Sequence, residues 1–134
     1  MAGGRKDDQD KPRWELMPPE FLKDFSKVLT YGAKKYGARN WEKGIEFGRL
    51  FGALQRHLWD FWEGIDTDPE SGLPHLAHAA CMLSFLHTLR VRGRADLDDR
   101  MVTLSFGTPS QIANQIAGQG RNMTPEERAA LLGF

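Results

Sequence analysis

Residues from about Pro74 to Arg90 read as a helix with almost no polar face. Leu76, Ala79, Ala80, Met82, Leu83, Phe85, Leu86 and Leu89 fall on every side of a helical wheel. Such a helix has to be covered from several directions, at the centre of a bundle or inside a subunit interface. A chain of 134 residues has few other elements with which to cover it. The expectation is one all-α domain over residues 1–134, a helical bundle completed by further copies of the chain as a homo-oligomer.

Two further helices precede it. After Pro18 and Pro19, the residues Phe21, Leu22, Phe25, Val28 and Leu29 keep to one helical face. Gly32, Gly37 and Arg39-Asn40-Trp41 are expected to break or bend the chain beyond that face. Phe47, Leu50, Phe51, Leu54, Leu58 and Phe61 mark a second helix of about four turns. A second stripe of that helix carries Arg49, Ala53, Arg56, Asp60 and Glu63. Gly64 suits its end, and Pro74 suits the first turn of the apolar helix.

Outside this core the pattern weakens. Residues Arg5 to Lys11 have too little apolar surface to fold alone. Residues 95–134 read as an irregular C-terminal extension. Alternation from Met101 to Phe106 is compatible with a short strand. Thr108-Pro109-Ser110-Gln111 and Thr124-Pro125-Glu126-Glu127 both read as helix starts, the first helix ending near Gly118.

Lys+Arg and Asp+Glu both number 18, so net charge draws the chain neither to nucleic acid nor to acidic membranes. No apolar run reaches roughly 18 residues, and Met1 to Asp10 lacks the apolar segment of a signal peptide. A cytoplasmic protein is expected, with no membrane and no stable nucleic-acid partner. The single cysteine, Cys81, sits among Ala79, Ala80, Met82 and Leu83 and reads as a buried, inert thiol.

The chemistry-bearing residues cluster around positions 60–78. Asp60 and Glu63 are three apart on one helix, so they share a face. Paired carboxylates suit hard ions such as Mg2+ or Mn2+, although a solvated helix end has the same pattern. His75 and His78 repeat that spacing at the start of the apolar helix. Neutral imidazoles there serve as ligand, base or hydrogen-bonded structure. Asp66, Asp68 and Glu70 lie between, giving five carboxylates from position 60 to position 70. If the two helices pack antiparallel through this loop, the acids gather at one end of the pair. Such a cluster repels itself unless divalent cations occupy it.

Cations lie elsewhere: Lys11, Arg13, Lys34, Lys35, Arg39, Lys43, Arg49 and Arg56, interleaved with Trp14, Tyr31, Tyr36 and Trp41. Cations, an aromatic ring and the Asn40 amide together suit a nucleotide's phosphates, base face and base edge. The aromatics fit a hydrophobic core equally well.

Several strings taken together resemble a known family. They are Lys11-Pro12-Arg13, Tyr31-Gly32-Ala33-Lys34-Lys35-Tyr36-Gly37, Asn40-Trp41, Arg56-His57-Leu58, Asp68-Pro69-Glu70-Ser71-Gly72 and His75-Leu76-Ala77-His78. Over residues 8–90 the chain resembles the phage dATP/dGTP diphosphohydrolases, a branch similar to the MazG-like all-α pyrophosphohydrolases. The resemblance implies a MazG-like helical bundle, built as a homodimer or homotetramer, with a catalytic core over 8–90. It implies hydrolysis of dGTP, and of dATP, to the monophosphate and pyrophosphate, with dGMP feeding synthesis of a 2-aminoadenine nucleotide. The MazG-like pattern has Glu-x-x-Glu on one helix and Glu-x-x-Asp on the next. Here Asp60-x-x-Glu63 and His75-x-x-His78 stand in those places, and Ile65 replaces an acid after Gly64.

On this reading about two or three divalent ions, Mg2+ or Mn2+, are the cofactor. Asp60, Glu63, Asp66, Glu70, His75 and His78 are the candidate metal residues, with Glu63, Asp66 and His78 catalytic. Lys11, Arg13, Lys34, Lys35, Asn40, Trp41 and Arg56 are candidates for substrate contact. The rival reading is a non-catalytic nucleotide- or nucleic-acid-binding helical module, supported by the basic, aromatic segment from Tyr31 to Lys43. A His-Asp metal dipeptide and a Glu-x-x-His di-iron pattern are both absent from the sequence.

Overall fold

The computed structural model describes residues 3–101 and Glu126. Three α-helices form there: α1, Pro19–Tyr36; α2, Phe47–Trp62; and α3, His75–Val91. Short 3-10 turns stand at Trp14–Leu16, Asn40–Lys43 and Ala95–Leu97. Among the described residues no strand forms, and one isolated bridge joins Thr67 to Pro74. The all-α expectation is met. Apart from Met101 and Glu126, the strand and helix starts expected after residue 100 lie outside the described residues.

Helix α1 begins where its prolines place it. Pro18 is extended, and Pro19 takes the first helical position, where a missing N–H is no loss. Gly32, expected to break the helix, is carried within it. A helix-interior glycine costs only about 1 kcal/mol, which packing readily offsets. The helix stops at Gly37, whose φ of +96° disfavours a residue with a Cβ. Lys34 and Lys35 occupy its last turn, where cations meet the negative end of the helix dipole.

Helices α2 and α3 form an antiparallel hairpin. His57 meets His75 at one end, and Leu50 meets Leu89 at the other. Phe47, Leu50 and Leu89 are buried there, with Trp41, Ile45, Phe85, Leu86 and Leu97 packed around them. A second cluster joins α1 to α3 through Val28, Ala77 and Cys81, flanked by Phe25, Leu73 and Met82. Thus α3 is the central element. Helices α1 and α2 each pack on it and scarcely touch one another, so a cleft opens between them with α3 as its floor.

Three helices leave much apolar surface uncovered. Of the stripe expected to be core on α2, only Phe47 and Leu50 are buried, whereas Phe51, Leu58 and Phe61 are exposed. Trp62 is 78% exposed and Leu83, on α3, is 58% exposed. On α1, Val28 is buried, but Phe21, Leu22 and Leu29 face outward. The reason is geometric: α3 is apolar all round, and among the described residues it is covered on two sides only.

The chain beyond α3 folds back over the start of α2. Leu97 joins the core, Arg94 donates to the Glu42 carbonyl, and Asp99 Oδ1 accepts the Gly48 N–H at 2.7 Å. Asp99 is therefore a tertiary cap on α2, whose own Glu46 makes no side-chain cap. A Cβ on Gly48 would stand 2.8 Å from the Asp99 carboxylate, which would have to shift to admit it. No helix among the described residues is long and apolar enough to cross a membrane.

Candidate active site

The loop from Glu63 to Pro74 is folded on itself by its backbone. Asp68 donates its N–H to the Leu73 carbonyl at 2.9 Å, and Gly72 donates to the Asp68 carbonyl at 2.8 Å. The His75 N–H donates to the Asp66 carbonyl at 2.8 Å, tying the first turn of α3 to the loop. Inside this turn the Asp68 carboxylate accepts the Ser71 N–H at 3.1 Å. Ser71 Oγ accepts the Leu73 N–H at 3.1 Å and lies 2.7 Å from His78 Nε2. Asp68 Oδ2 stands 3.6 Å from that same nitrogen. Burial pushes the Asp68 carboxyl up, but the Ser71 hydrogen bonds and the histidines His78 and His57 together hold it below its ordinary range.

Three histidines from two helices meet beside the loop. His57 Nδ1 and His75 Nδ1 are 2.9 Å apart, and His57 stacks on His78 with ring centroids 4.7 Å apart. Both α3 histidines are buried, His75 to 1% and His78 to 8% exposure. Burial is the main cause that lowers the affinity of His57 and of His78 for a proton. Among the described residues His75 Nε2 has no hydrogen-bond partner, and the Asp60 carboxylate oxygen Oδ2 stands 3.6 Å away.

On the α1 side, Glu70 is held by two groups. Tyr31 Oη donates to it at 3.0 Å, and the Lys35 ammonium is paired with the same oxygen. Lys35, and then Tyr31, hold the Glu70 carboxyl below its usual range. The loop is thereby latched to the end of α1.

The cleft between α1 and α2 has a volume of about 1250 Å³. Asp68, Glu70, His57 and His78 line one end. Lys35, Arg39, Arg49 and Arg56 supply its cations, and Asn40, Trp41 and Phe85 line it too. Trp41 stacks on Phe85 with centroids 4.6 Å apart, so much of that ring is committed to packing.

Of the residues expected in the site, Lys35, Asn40, Trp41, Arg56, Glu70 and His78 come together around this cleft. Lys11, Arg13 and Lys34 do not line it, and Arg13 pairs with Glu15 instead. Asp60, Glu63, Asp66 and His75 also fall outside it. Glu63 is the exposed residue that follows the last turn of α2, and Asp66 engages His75 through its carbonyl, not its carboxylate. The five acids therefore do not converge: the loop directs Asp68 and Glu70 to the cleft and leaves Glu63 and Asp66 in solvent. Among the described residues no three His, Cys, Asp or Glu side chains are grouped to hold an ion by themselves. His57 and Ser71 are residues to which the sequence reading assigned no role, and Asp68 was counted there only as a member of the acidic cluster. The signal for His57 was present, since it stands three residues before Asp60 and shares its helical face.

Buried in the floor, Cys81 donates its thiol to the Phe25 carbonyl at 3.8 Å, and burial pushes it up to about 12, as befits an inert thiol.

A protein of Salmonella phage PMBT28 named dATP/dGTP diphosphohydrolase is 40% identical over 97 residues, which cover 72% of this chain and 33% of that protein. The chain thus spans about a third of the length of the curated relative it matches. No solved structure matches. Residues 1–100 match the family described as dATP/dGTP diphosphohydrolase, N-terminal, and the chain belongs to that family.

Proposed function

We propose that this chain hydrolyses dGTP and dATP to the monophosphate and pyrophosphate with the help of a divalent metal ion. The observation that carries the reading is the polarity of the cleft. Cations, Lys35, Arg49 and Arg56, share it with two carboxylates and two histidines gathered at one end. Its volume of about 1250 Å³ exceeds that of ordinary small-molecule sites, roughly 300–1,000 Å³, and suits an extended triphosphate.

The donors fit a metal that arrives with its substrate. Mg2+ is commonly bound by one or two carboxylates plus substrate phosphates, not by an all-protein cage. Asp68 and Glu70 are hard oxygen donors facing the cleft and would hold Mg2+ or Mn2+ there. When bound, the ion neutralises phosphate charge and makes an attacking water more acidic. The chain's own groups do the rest. Arg49 and Arg56 take phosphate oxygens, with Lys35 held nearby by Glu70. Asn40, beside the Trp41–Phe85 stack, offers its amide to the base or sugar. His78, set by Ser71 and Asp68, gives the cleft end a fixed polar edge. Glu63, Asp66 and Asp60 receive no metal role in this reading.

The exposed apolar faces of α1, α2 and α3 support a second part of it: identical chains pair over them as a homodimer or homotetramer in the host cytoplasm. Production of dGMP for a phage 2-aminoadenine pathway is the proposed use of the reaction.

The test is a product assay with the full chain, dGTP or dATP, and Mg2+ or Mn2+, resolved by ion exchange. Pyrophosphate plus the monophosphate is expected. Orthophosphate plus the diphosphate, tripolyphosphate plus the nucleoside, or binding without turnover each rejects the reaction; the last restores a non-catalytic nucleotide-binding role. Light scattering on the same sample reads subunit number, and a monomer rejects the pairing.

A further inference from the structure

Resting on the hydrolase reading, the geometry points to His57 as the general base of this site, oriented by His75 and Asp60 through a chain of imidazole nitrogens. Asp60 and His75 lie off the cleft, yet they form a continuous line to it. Asp60 Oδ2 is 3.6 Å from His75 Nε2, and His75 Nδ1 is 2.9 Å from His57 Nδ1. His57 borders the cleft, and its remaining nitrogen, Nε2, has no protein partner among the described residues.

The direction of the protons is set by electrostatics. Two Nδ1 atoms at 2.9 Å share one hydrogen, so one ring donates and the other accepts. If His75 donated, its Nε2 would be a bare acceptor, buried and facing an Asp60 carboxylate that is itself an acceptor. That arrangement sets two lone pairs against each other where water is scarce. If His57 donates, His75 carries its proton on Nε2 and presents it to Asp60. This explains why the one buried side-chain nitrogen without a partner among the described residues aims at a carboxylate. The 3.6 Å gap is too long for a hydrogen bond, but Asp60 is 45% exposed and free to close it. Catalytic hydrogen bonds are commonly loose before substrate binds. In this arrangement Nε2 is the deprotonated nitrogen of the His57 ring, which borders the cleft. Burial, then His78 and His75, keep the ring neutral near pH 7.

In the reaction, a water loses one proton to His57 Nε2 and its oxygen bonds to the α-phosphorus. The bond from that phosphorus to the bridging oxygen breaks, and pyrophosphate leaves with the electron pair. The imidazolium formed at His57 is stabilised by the Asp60 charge through His75, then releases its proton to solvent. His57 is the catalytic residue; His75 and Asp60 are positioning residues. The same logic orders a nucleophile, a base and its orienting carboxylate in other hydrolases.

Two readouts test this separately from the function itself. Nitrogen–proton correlation spectra of the 15N-labelled full chain, without substrate, report each imidazole's tautomer. His57 is expected with its proton on Nδ1 and His75 with its proton on Nε2. A proton on His57 Nε2 overturns the proposal whether or not the protein hydrolyses nucleotides. The expected spectrum in a protein without turnover rejects the hydrolase reading and leaves the proton-accepting chain standing. In an active protein, His57→Gln lowers kcat by about 10²–10⁴-fold with KM little changed. His57→Ala regains part of its rate with added imidazole, which a structural defect would not. Asp60→Asn places an amide donor before His75 Nε2, reverses both tautomers and lowers kcat by a similar factor. Unchanged kcat in Asp60→Asn, with the protein folded by circular dichroism, also overturns it.

Discussion

Replacing Ser71 with alanine removes one oxygen that serves two neighbours. Ser71 Oγ accepts the Leu73 N–H and lies against His78 Nε2, while the Ser71 backbone N–H that holds Asp68 is retained. His78 is 8% exposed, so water is a poor substitute. A buried polar group left without a partner costs about 1–3 kcal/mol. Asp68 Oδ2, 3.6 Å from the same nitrogen, can take part of that place, which puts the expected loss at about 1–2 kcal/mol. For a chain of 134 residues each kcal/mol lowers Tm by about 3–5 °C, so a fall of roughly 3–10 °C is expected. Urea unfolding followed by far-ultraviolet circular dichroism measures the loss, with Ser71→Thr as the hydroxyl-retaining control. The decisive step is a double-mutant cycle with His78→Asn. Residues in contact within one hydrogen-bond network couple by about 0.5–3 kcal/mol. If Ser71→Ala costs the same in both backgrounds, within about 0.3 kcal/mol, the serine does not act through His78 and the reasoning fails.

Three further outcomes are expected from the same geometry. His57 and His78 are both held below the ordinary value of 6.5, so the unfolded chain binds more protons than the native one as pH falls past that point. Stability is full above about pH 6.5 and is lost below it, by up to about 1.4 kcal/mol per pH unit for each histidine; urea midpoints flat between pH 7.5 and 5.5 would contradict this. Asp68→Asn and Glu70→Gln are expected to lower turnover at least 10-fold at fixed metal concentration, whereas Glu63→Gln, on the exposed end of α2, leaves it within about 2-fold. Loss of activity in Glu63→Gln alone would move the metal-binding acids back to the helix end. Asp99→Ala removes the tertiary cap on Gly48 and is expected to cost about 0.5–2 kcal/mol in thermal unfolding; a change below 0.3 kcal/mol in either direction argues against the cap.

Helices, their ends and their order were legible in the chain because those signals are local. Pro19 at the first turn, Gly37 past the last, and the run from Leu76 to Leu89 each act through neighbours a few residues away. The spacing of His75 and His78 likewise sets both on one flank of α3, whatever surrounds it. Which acids enter the site was not local. Asp60 to Glu70 look alike as a string of carboxylates, but the turn closed by Ser71 and Leu73 points Asp68 and Glu70 inward and leaves Glu63 and Asp66 outside.

The sequence alone also determined that α3 must be covered from several directions, at the centre of a bundle or in a subunit interface, since a helix apolar on all sides has no other stable place. Only the tertiary structure decided that His57, from another helix, comes within 2.9 Å of His75. It likewise decided that α1 and α2 stand apart to form a cleft. Helical periodicity states which residues share a face; which faces meet depends on how side chains from distant segments pack, and that is a property of the whole fold.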